Sequence, residues 1–378
     1  MLHHRQAARA AALSLLALSA APAAALEFTN IVDTSGGLIT FGHPSLDNNG
    51  VVTFTSAYDV FTSGVFAGSG GPVATLYDTT TPGYFAFSAA PMANDHGDLV
   101  FLVMHPDFSQ SIFLGDGSGG PVTFITGDST NAYTGFGDPV INNAGTIAFQ
   151  ASTTSGTTGI YAHASGSTST VVDNTGAFDN FSFYYSINAA GTVAFQAGLD
   201  GGGQGIYAAG GGSVTTIAQT GGQFSFFFDS ASINDHGQVV FGAALTGGGE
   251  GIFLGDGDQV ITIADSSGPF VAFGFGAGIN NNGTVAFMGQ LEDTRYGIFT
   301  GGDPETDAVI LTGDILFGSE VVDIRFYMNG LNDLDQIAFG YTLANGLSGI
   351  AVVTVPAPAT LPTLAVLGLA ALPRRRGA

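Results

Sequence analysis

One nine-residue block recurs along the chain at nearly constant spacing, and that recurrence limits the possible folds more than any other feature. It is clearest as Ile141-Asn142-Asn143-Ala144-Gly145-Thr146-Ile147-Ala148-Phe149. It returns at Ile187–Phe195, Ile233–Phe241 and Ile279–Phe287, and in weaker form at Leu46–Phe54, Ala93–Phe101 and Leu331–Phe339. Its turn position is held by Gly50, Gly97, Gly145, Gly191, Gly237, Gly283 and Asp335, at intervals of 47, 48, 46, 46, 46 and 52 residues. A second landmark keeps step: Val65, Ile112, Ile160, Ile206, Ile252, Ile298 and Ile350, usually within Gly-Ile-Phe or Gly-Ile-Tyr. Two landmarks in phase seven times define seven copies of one unit of about 46 residues.

The unit reads as four short antiparallel strands. In the fourth copy these are Phe181–Ile187, 192–197, 205–209 and 214–219, with the first turn at 188–191. Asn or Asp opens that turn by bonding the backbone two residues on, and Gly closes it at positive φ. Asp335 replaces Gly in the last copy, and Asp is among the few residues that visit left-handed geometry. Composition agrees. The chain holds 58 Gly and 31 Phe in 378 residues, while charged residues are 10% and Lys is missing. Helical bundles and coiled coils need the charged helix formers that are scarce here.

Four strands in 46 residues is the size of one propeller blade. A lone blade cannot bury both faces, whereas blades packed around an axis cover one another. The expected fold is therefore all-β, a seven-bladed β-propeller over residues 26–355. Phe54, Phe101, Phe149, Phe195, Phe241, Phe287 and Phe339 are expected to form the core between blades. The last copy runs out after its third strand, and Phe28–Asp33 resembles a fourth strand such as 214–219 or 260–265. It is expected to complete blade seven and leave no free edge. The competing architecture is an open β-solenoid, which needs no such closure.

Residues 1–25 read as a secretory leader: His3, His4, Arg5 and Arg9, then an apolar run from Ala10 to Ala20, then small residues at 23–25. Residues 356–378 read as a sorting or anchor segment. Val355-Pro356-Ala357-Pro358-Ala359 is followed by a short apolar stretch containing Pro362 and then Arg374-Arg375-Arg376. The apolar part suits a temporary membrane anchor that the arginines hold on the cytoplasmic side. Between these ends two Arg face 30 acids, a formal charge of −28. Such a surface repels nucleic acid and anionic membrane surfaces, and it also keeps a glycine-rich sheet protein in solution. With no Cys, the chain has neither disulfides nor thiol chemistry.

The tail resembles the PEP-CTERM sorting class, including its VPxPA variants, with Ala357 where the commonest form has Glu. That resemblance implies an exosortase-type processing protease as a partner and a Gram-negative envelope or extracellular destination. The repeats resemble the bacterial tandem-repeat family with an Asn-x-x-Gly-x-x-Ala-Phe signature and alternative C-terminal anchors. The signature is intact in copies three, four and six. Copy five has Val240 for Ala, copy one has Asp47 and Thr53, and copy seven has Asp335. This resemblance implies cell-surface or extracellular placement and no established activity.

Chemistry is harder to find. No P-loop, dinucleotide-binding glycine motif, Gly-x-Ser-x-Gly elbow or zinc signature is present. The Asn-x-x-Gly turns should lie on the face opposite the loops that bind ligands. The more individual loops between strands two and three hold Tyr58, Asp59, His105, Asp107, Glu292, Asp293 and Arg295, the candidate binding residues. The preferred reading is a non-catalytic surface or matrix protein whose loops bind polysaccharide or another protein. The alternative is a glycan hydrolase or lyase using acids such as Asp107 and Glu292. Asp33, Asp78, Asp128, Asp173, Asp265 and Asp314 each follow a fourth strand. They read either as turn caps or as a carboxylate ring for Ca²⁺, no other cofactor being expected.

Overall fold

Each copy folds into its own antiparallel sheet, and the described residues hold seven of them. The computed structural model describes residues 26–356 apart from Ala89, 116–121 and 128–131. The expected leader, the tail beyond Pro356 and Asp128 therefore lie outside the described residues. Among those described, no helix is long and apolar enough to cross a membrane.

Blade four shows the plan. Val193–Leu199, Gln204–Gly210 and Ser213–Gln219 form successive hairpins outward from the axis. The innermost strand departs from expectation. In place of one strand over Phe181–Ile187, two pieces, Phe178–Phe181 and Ser186–Ile187, both pair with Val193–Leu199. The first strand is also split in blades one, two, three and six. It runs through with a bulge in blade five, Phe224–Ile233. In blade seven Ser319–Arg325 gives way to a 3₁₀ turn at Met328–Gly330.

The pairing of third and fourth strands slips by one residue in every blade, between Ile206 and Tyr207 in blade four and at matching places elsewhere. The bulge brings the fourth strand's carbonyl against the residue before the landmark Ile. A Cβ at Gly205 would lie 2.8 Å from the Ala218 carbonyl oxygen, and one at Gly251 2.5 Å from that of Ala264. Close backbone approach is thus the reason for Gly-Ile-Phe.

The N-terminal strand Phe28–Asp33 pairs antiparallel with Ser348–Thr354 and carries the same bulge. It also supplies a missing ring. The motif Phe faces an aromatic residue across the sheet in six blades, but Phe339 faces Ala351. Phe28 fills that place edge-on, 6.0 Å from Phe339.

Seven buried clusters lie between consecutive blades, including seven and one. Strand alternation explains the Ala-Phe pair in the motif. Phe195 faces blade three, where Ala148 and Ile160 receive it, and Ala194 faces blade five beneath Phe241. A large face meets a small one where Ala148, Ala194, Ala286 and Ala338 receive the next blade's Phe, while Thr53, Val100 and Val240 hold that place in the other blades. All seven motif Phe are fully buried, each worth about 1.5–3 kcal/mol of burial.

The turn residues take the predicted geometry: φ is 75° to 85° at the six glycines and 56° at Asp335. The Asn does more than open the turn. The Oδ1 of Asn142 accepts the N–H groups of Ala144 and Thr146, while its Nδ2 donates to the Asn188 carbonyl of the next blade at 2.8 Å. Asn94, Asn188, Asn234, Asn280 and Asn332 donate onward in the same way. The Asp47 side chain has no N–H to give, so the joint from blade one to blade two lacks this link. A second ring runs through the next residue: Asn48, Asp95, Asn143, Ala189, Asp235, Asn281 and Asp333. Each backbone N–H meets the following blade's side-chain oxygen, except that of Asn143, which faces Ala189. The two gaps fall at different joints. Asp335 adds its own tie by accepting from Asn280, Asn282 and Thr284 of blade six.

Candidate functional site: the axial cavity

The splits in the first strands shape the molecule's centre. Pro44, Pro91 and Pro139 lie just before the second strand piece in blades one to three. A proline has no N–H to continue the ladder. In blade six the break is Gly274 to Ala277, and in blade five Asp229 takes a φ of 48° at the bulge. The seven segments together line a cavity of about 390 Å³ around the axis. Leu46, Met92, Ile141, Ile187, Ile233, Ile279 and Leu331 separate it from the Asn-x-x-Gly rings, which bound a smaller space of about 170 Å³.

The cavity is mostly aromatic and apolar. Phe183, Tyr184, Phe275 and Tyr327 contribute rings, and Phe183 and Phe275 stay 69% and 65% exposed at its mouth. His43 stacks on Tyr327 across the joint between blades one and seven, with ring centroids 3.3 Å apart. Tyr185 is buried and fixes one wall: its hydroxyl donates to the Asp138 carbonyl at 2.5 Å and accepts the Gln150 N–H at 2.8 Å. Burial pushes that phenol far above its ordinary range.

Among the described residues two carboxylates line the cavity, Asp138 and Asp229, and no Lys or Arg does. Asp229 Oδ1 accepts the Gln196 amide at 3.2 Å. Burial holds the Asp138 carboxyl above the usual carboxylate range, and the nearby Ser88 hydroxyl offsets part of that push. Yet that hydroxyl is buried and makes no hydrogen bond of ordinary geometry, to Asp138 or to any other described residue.

Burial, with the Arg325 charge nearby, pulls His43 down to about 4. The imidazole is therefore neutral at pH 7. An unfolded chain takes up this proton below about pH 6.5, whereas the folded one waits until about 4. Stability linked to His43 is thus complete above pH 6.5 and drains away as pH falls toward 4. The ceiling is about 3 kcal/mol, lowered by the partial exposure of the ring. Urea melts at pH 7 and pH 4.5 should show a smaller acid loss in His43→Gln than in wild type. An identical acid loss in both would show that His43 is not held neutral.

The residues expected to bind or catalyse sit elsewhere. Tyr58 and Asp59, His105 and Asp107, and Glu292, Asp293 and Arg295 lie at the strand two–three hairpins of blades one, two and six. None lines the axial cavity. Each is engaged locally. Tyr58 meets the Thr75 hydroxyl at 2.8 Å, and Asp59 takes the N–H groups of Phe61 and Thr62, which hold its carboxyl below the ordinary range. His105 bridges the Gly83 carbonyl and Ser111 hydroxyl, and Asp107 accepts from Ser109. Glu292 is exposed, and Asp293 and Arg295 form a surface pair at 2.8 Å. The acids proposed for hydrolysis or lysis thus do not converge. Nor do the described members of the expected carboxylate ring come together. Asp33, Asp78, Asp173, Asp265 and Asp314 each accept nearby backbone N–H groups in separate blades. Among the described residues no group of three or more His, Cys, Asp or Glu is placed to hold a metal.

Sequence reasoning missed the axial residues because they do not repeat. One signal was available: Pro44, Pro91 and Pro139 stand at the same offset, two residues before the motif begins. Proline there interrupts a central strand.

The architecture is that of a seven-bladed β-propeller, and solved structures share it. An oligogalacturonate lyase from Vibrio parahaemolyticus superposes with a TM-score of 0.56 at 12% identity, covering 88% of this chain and 97% of that one. A puromycin-hydrolysing peptidase from Mycobacterium tuberculosis gives 0.54 at 13% identity, covering 81% of this chain and 49% of that one. At such identities the likeness shows the fold alone. No curated protein matches the chain in sequence. The chain belongs to the family of unknown function DUF7453, whose pattern matches residues 5–249 and 222–362.

Proposed function

We propose that the protein is an exported, envelope-directed propeller that binds polysaccharide without turning it over. In this reading the leader directs export, the C-terminal segment serves as a transient anchor for an exosortase-type protease, and the propeller does the binding. The observation that carries the binding role is the aromatic-walled cavity on the axis. Aromatic faces suit the C–H faces of sugar rings, and a few buried polar groups among them fix orientation. The axial cavity takes over the role first expected of the hairpin tips. The absence of convergence between Asp107 and Glu292 supports binding over hydrolysis or lysis.

A glycan array on the purified protein, with and without Ca²⁺, tests this. Retention of defined oligosaccharides without products is the expected result, with loss of retention in Phe275→Ala. Product release that disappears in Asp138→Asn would overturn the non-catalytic reading. Retention that survives Phe275→Ala and Tyr184→Ala would move binding away from the axis.

A further inference from the structure

We infer that the axial cavity selects sugar units bearing a free, protonated amine and rejects uronates. This rests on the polysaccharide-binding reading above and specifies the ligand for the same cavity.

The polar lining is one-sided. Asp138 and Asp229 contribute carboxylates, while His43 is uncharged and no basic side chain lines the wall. Arg325, whose charge acts on His43, does not line the cavity and is paired with Asp323 at 2.8 Å. Phe183, Tyr184, Phe275 and Tyr327 add ring faces, which carry the negative side of an aromatic quadrupole. A cation placed among such rings is attracted by about 0.5–2 kcal/mol at each well-placed face, most when it is desolvated. The wider field points the same way, since the propeller carries −28. A uronate would bring a further negative charge into that field and find no cation to meet it.

Asp138 makes the case specific. Its carboxyl is largely buried, and the nearby Ser88 hydroxyl makes no hydrogen bond of ordinary geometry to it. Buried carboxylates are ordinarily paired, because an unpaired one is costly. An ammonium group entering the cavity would supply the missing donor and the missing charge together. A neutral hydroxyl would supply only the donor, and an acetylated amine lacks the charge.

Isothermal titration of the purified protein with three tetramers decides the matter: glucosamine, N-acetylglucosamine and galacturonate. The glucosamine tetramer should bind about tenfold or more tightly than its acetylated counterpart, weaken with salt, and leave the galacturonate tetramer without measurable binding. Asp138→Asn should bring the first two within about twofold of each other, a fivefold change worth about 1 kcal/mol. Asp229→Asn should shift the ratio the same way and serves if Asp138→Asn does not fold. Equal affinity for the amine and acetyl forms, or preference for galacturonate, overturns this inference and leaves polysaccharide binding standing. If no saccharide binds, polysaccharide binding fails, and phenethylammonium becomes the probe. Its Asp138-dependent binding would keep the cation site, and no binding would overturn that as well.

Discussion

Deleting residues 26–34 is expected to lower the melting temperature of the entire propeller by roughly 10–20 °C, in one transition. The strand Phe28–Asp33 closes blade seven by pairing with Ser348–Thr354. Its loss exposes Ile31, buried in the cluster between blades seven and one, and removes Phe28 from Phe339. Each apolar side chain is worth about 1.5–3 kcal/mol, and each lost ladder bond about 0.5–1.5 kcal/mol. A body of this size loses about 1.5 °C per kcal/mol. The freed edge of Ser348–Thr354 should also promote association between chains. Calorimetry and light scattering of the truncated protein measure both. A melt that matches wild type would mean that blade seven closes without its N-terminal strand.

The second large effect is expected at a single atom. Asn142→Asp should cost about 2–4 kcal/mol in urea denaturation. The substitution keeps both turn bonds, because the remaining oxygen still accepts from Ala144 and Thr146. It replaces the donor facing the Asn188 carbonyl with an oxygen, in a buried place. No second tie within the turn rings backs it up there, because the Ala189 side chain offers no acceptor to Asn143. Asp47 shows how the chain tolerates a carboxylate at the equivalent position: Asn49 donates to it at 3.3 Å, and the joint is held by Asn48 and Asn49 on Asp95. Ala144 can give no such help. The reciprocal change Asp47→Asn would complete the inner ring and should add about 0.5–1.5 kcal/mol. Equal stability of Asn142→Asp and wild type would reduce the Asn ring to a set of independent turns.

These cases show where the sequence was legible and where it was not. The blade number, the turn glycines and the closing strand followed from repetition, because whatever every unit needs to fold must appear in every unit. Phe28–Asp33 could be recognised because it matches 214–219 residue for residue in type. The second hydrogen bond of each Asn was hidden, since a turn accounts for Asn alone and the partner carbonyl lies one copy further on. The split first strands were hidden by the apolar run around Phe181–Ile187, which reads as continuous. The axial cavity was harder still. His43 and Asp138 stand three residues before their motif blocks, while Phe183, Asp229, Phe275 and Tyr327 stand four before theirs, and neither place keeps one residue type through the seven copies, so a search for recurrence passes over them. The hairpin candidates stood out as individual polar residues, yet Asp59, Asp107 and Asp293 each serve the turn that contains them.

The large-on-small contact between neighbouring blades has an implication for modular assembly. Every joint is heterologous, the next blade's Phe set against the residue that precedes the motif Phe in the blade before it, so nothing in a single contact counts to seven. The rotation per joint does the counting, and the ring ends when the last face finds the first. A fragment of three copies and a separate fragment of four would therefore present complementary ends and should complement one another when mixed. A chain with a whole copy removed would hold two unmatched ends and string together into open filaments.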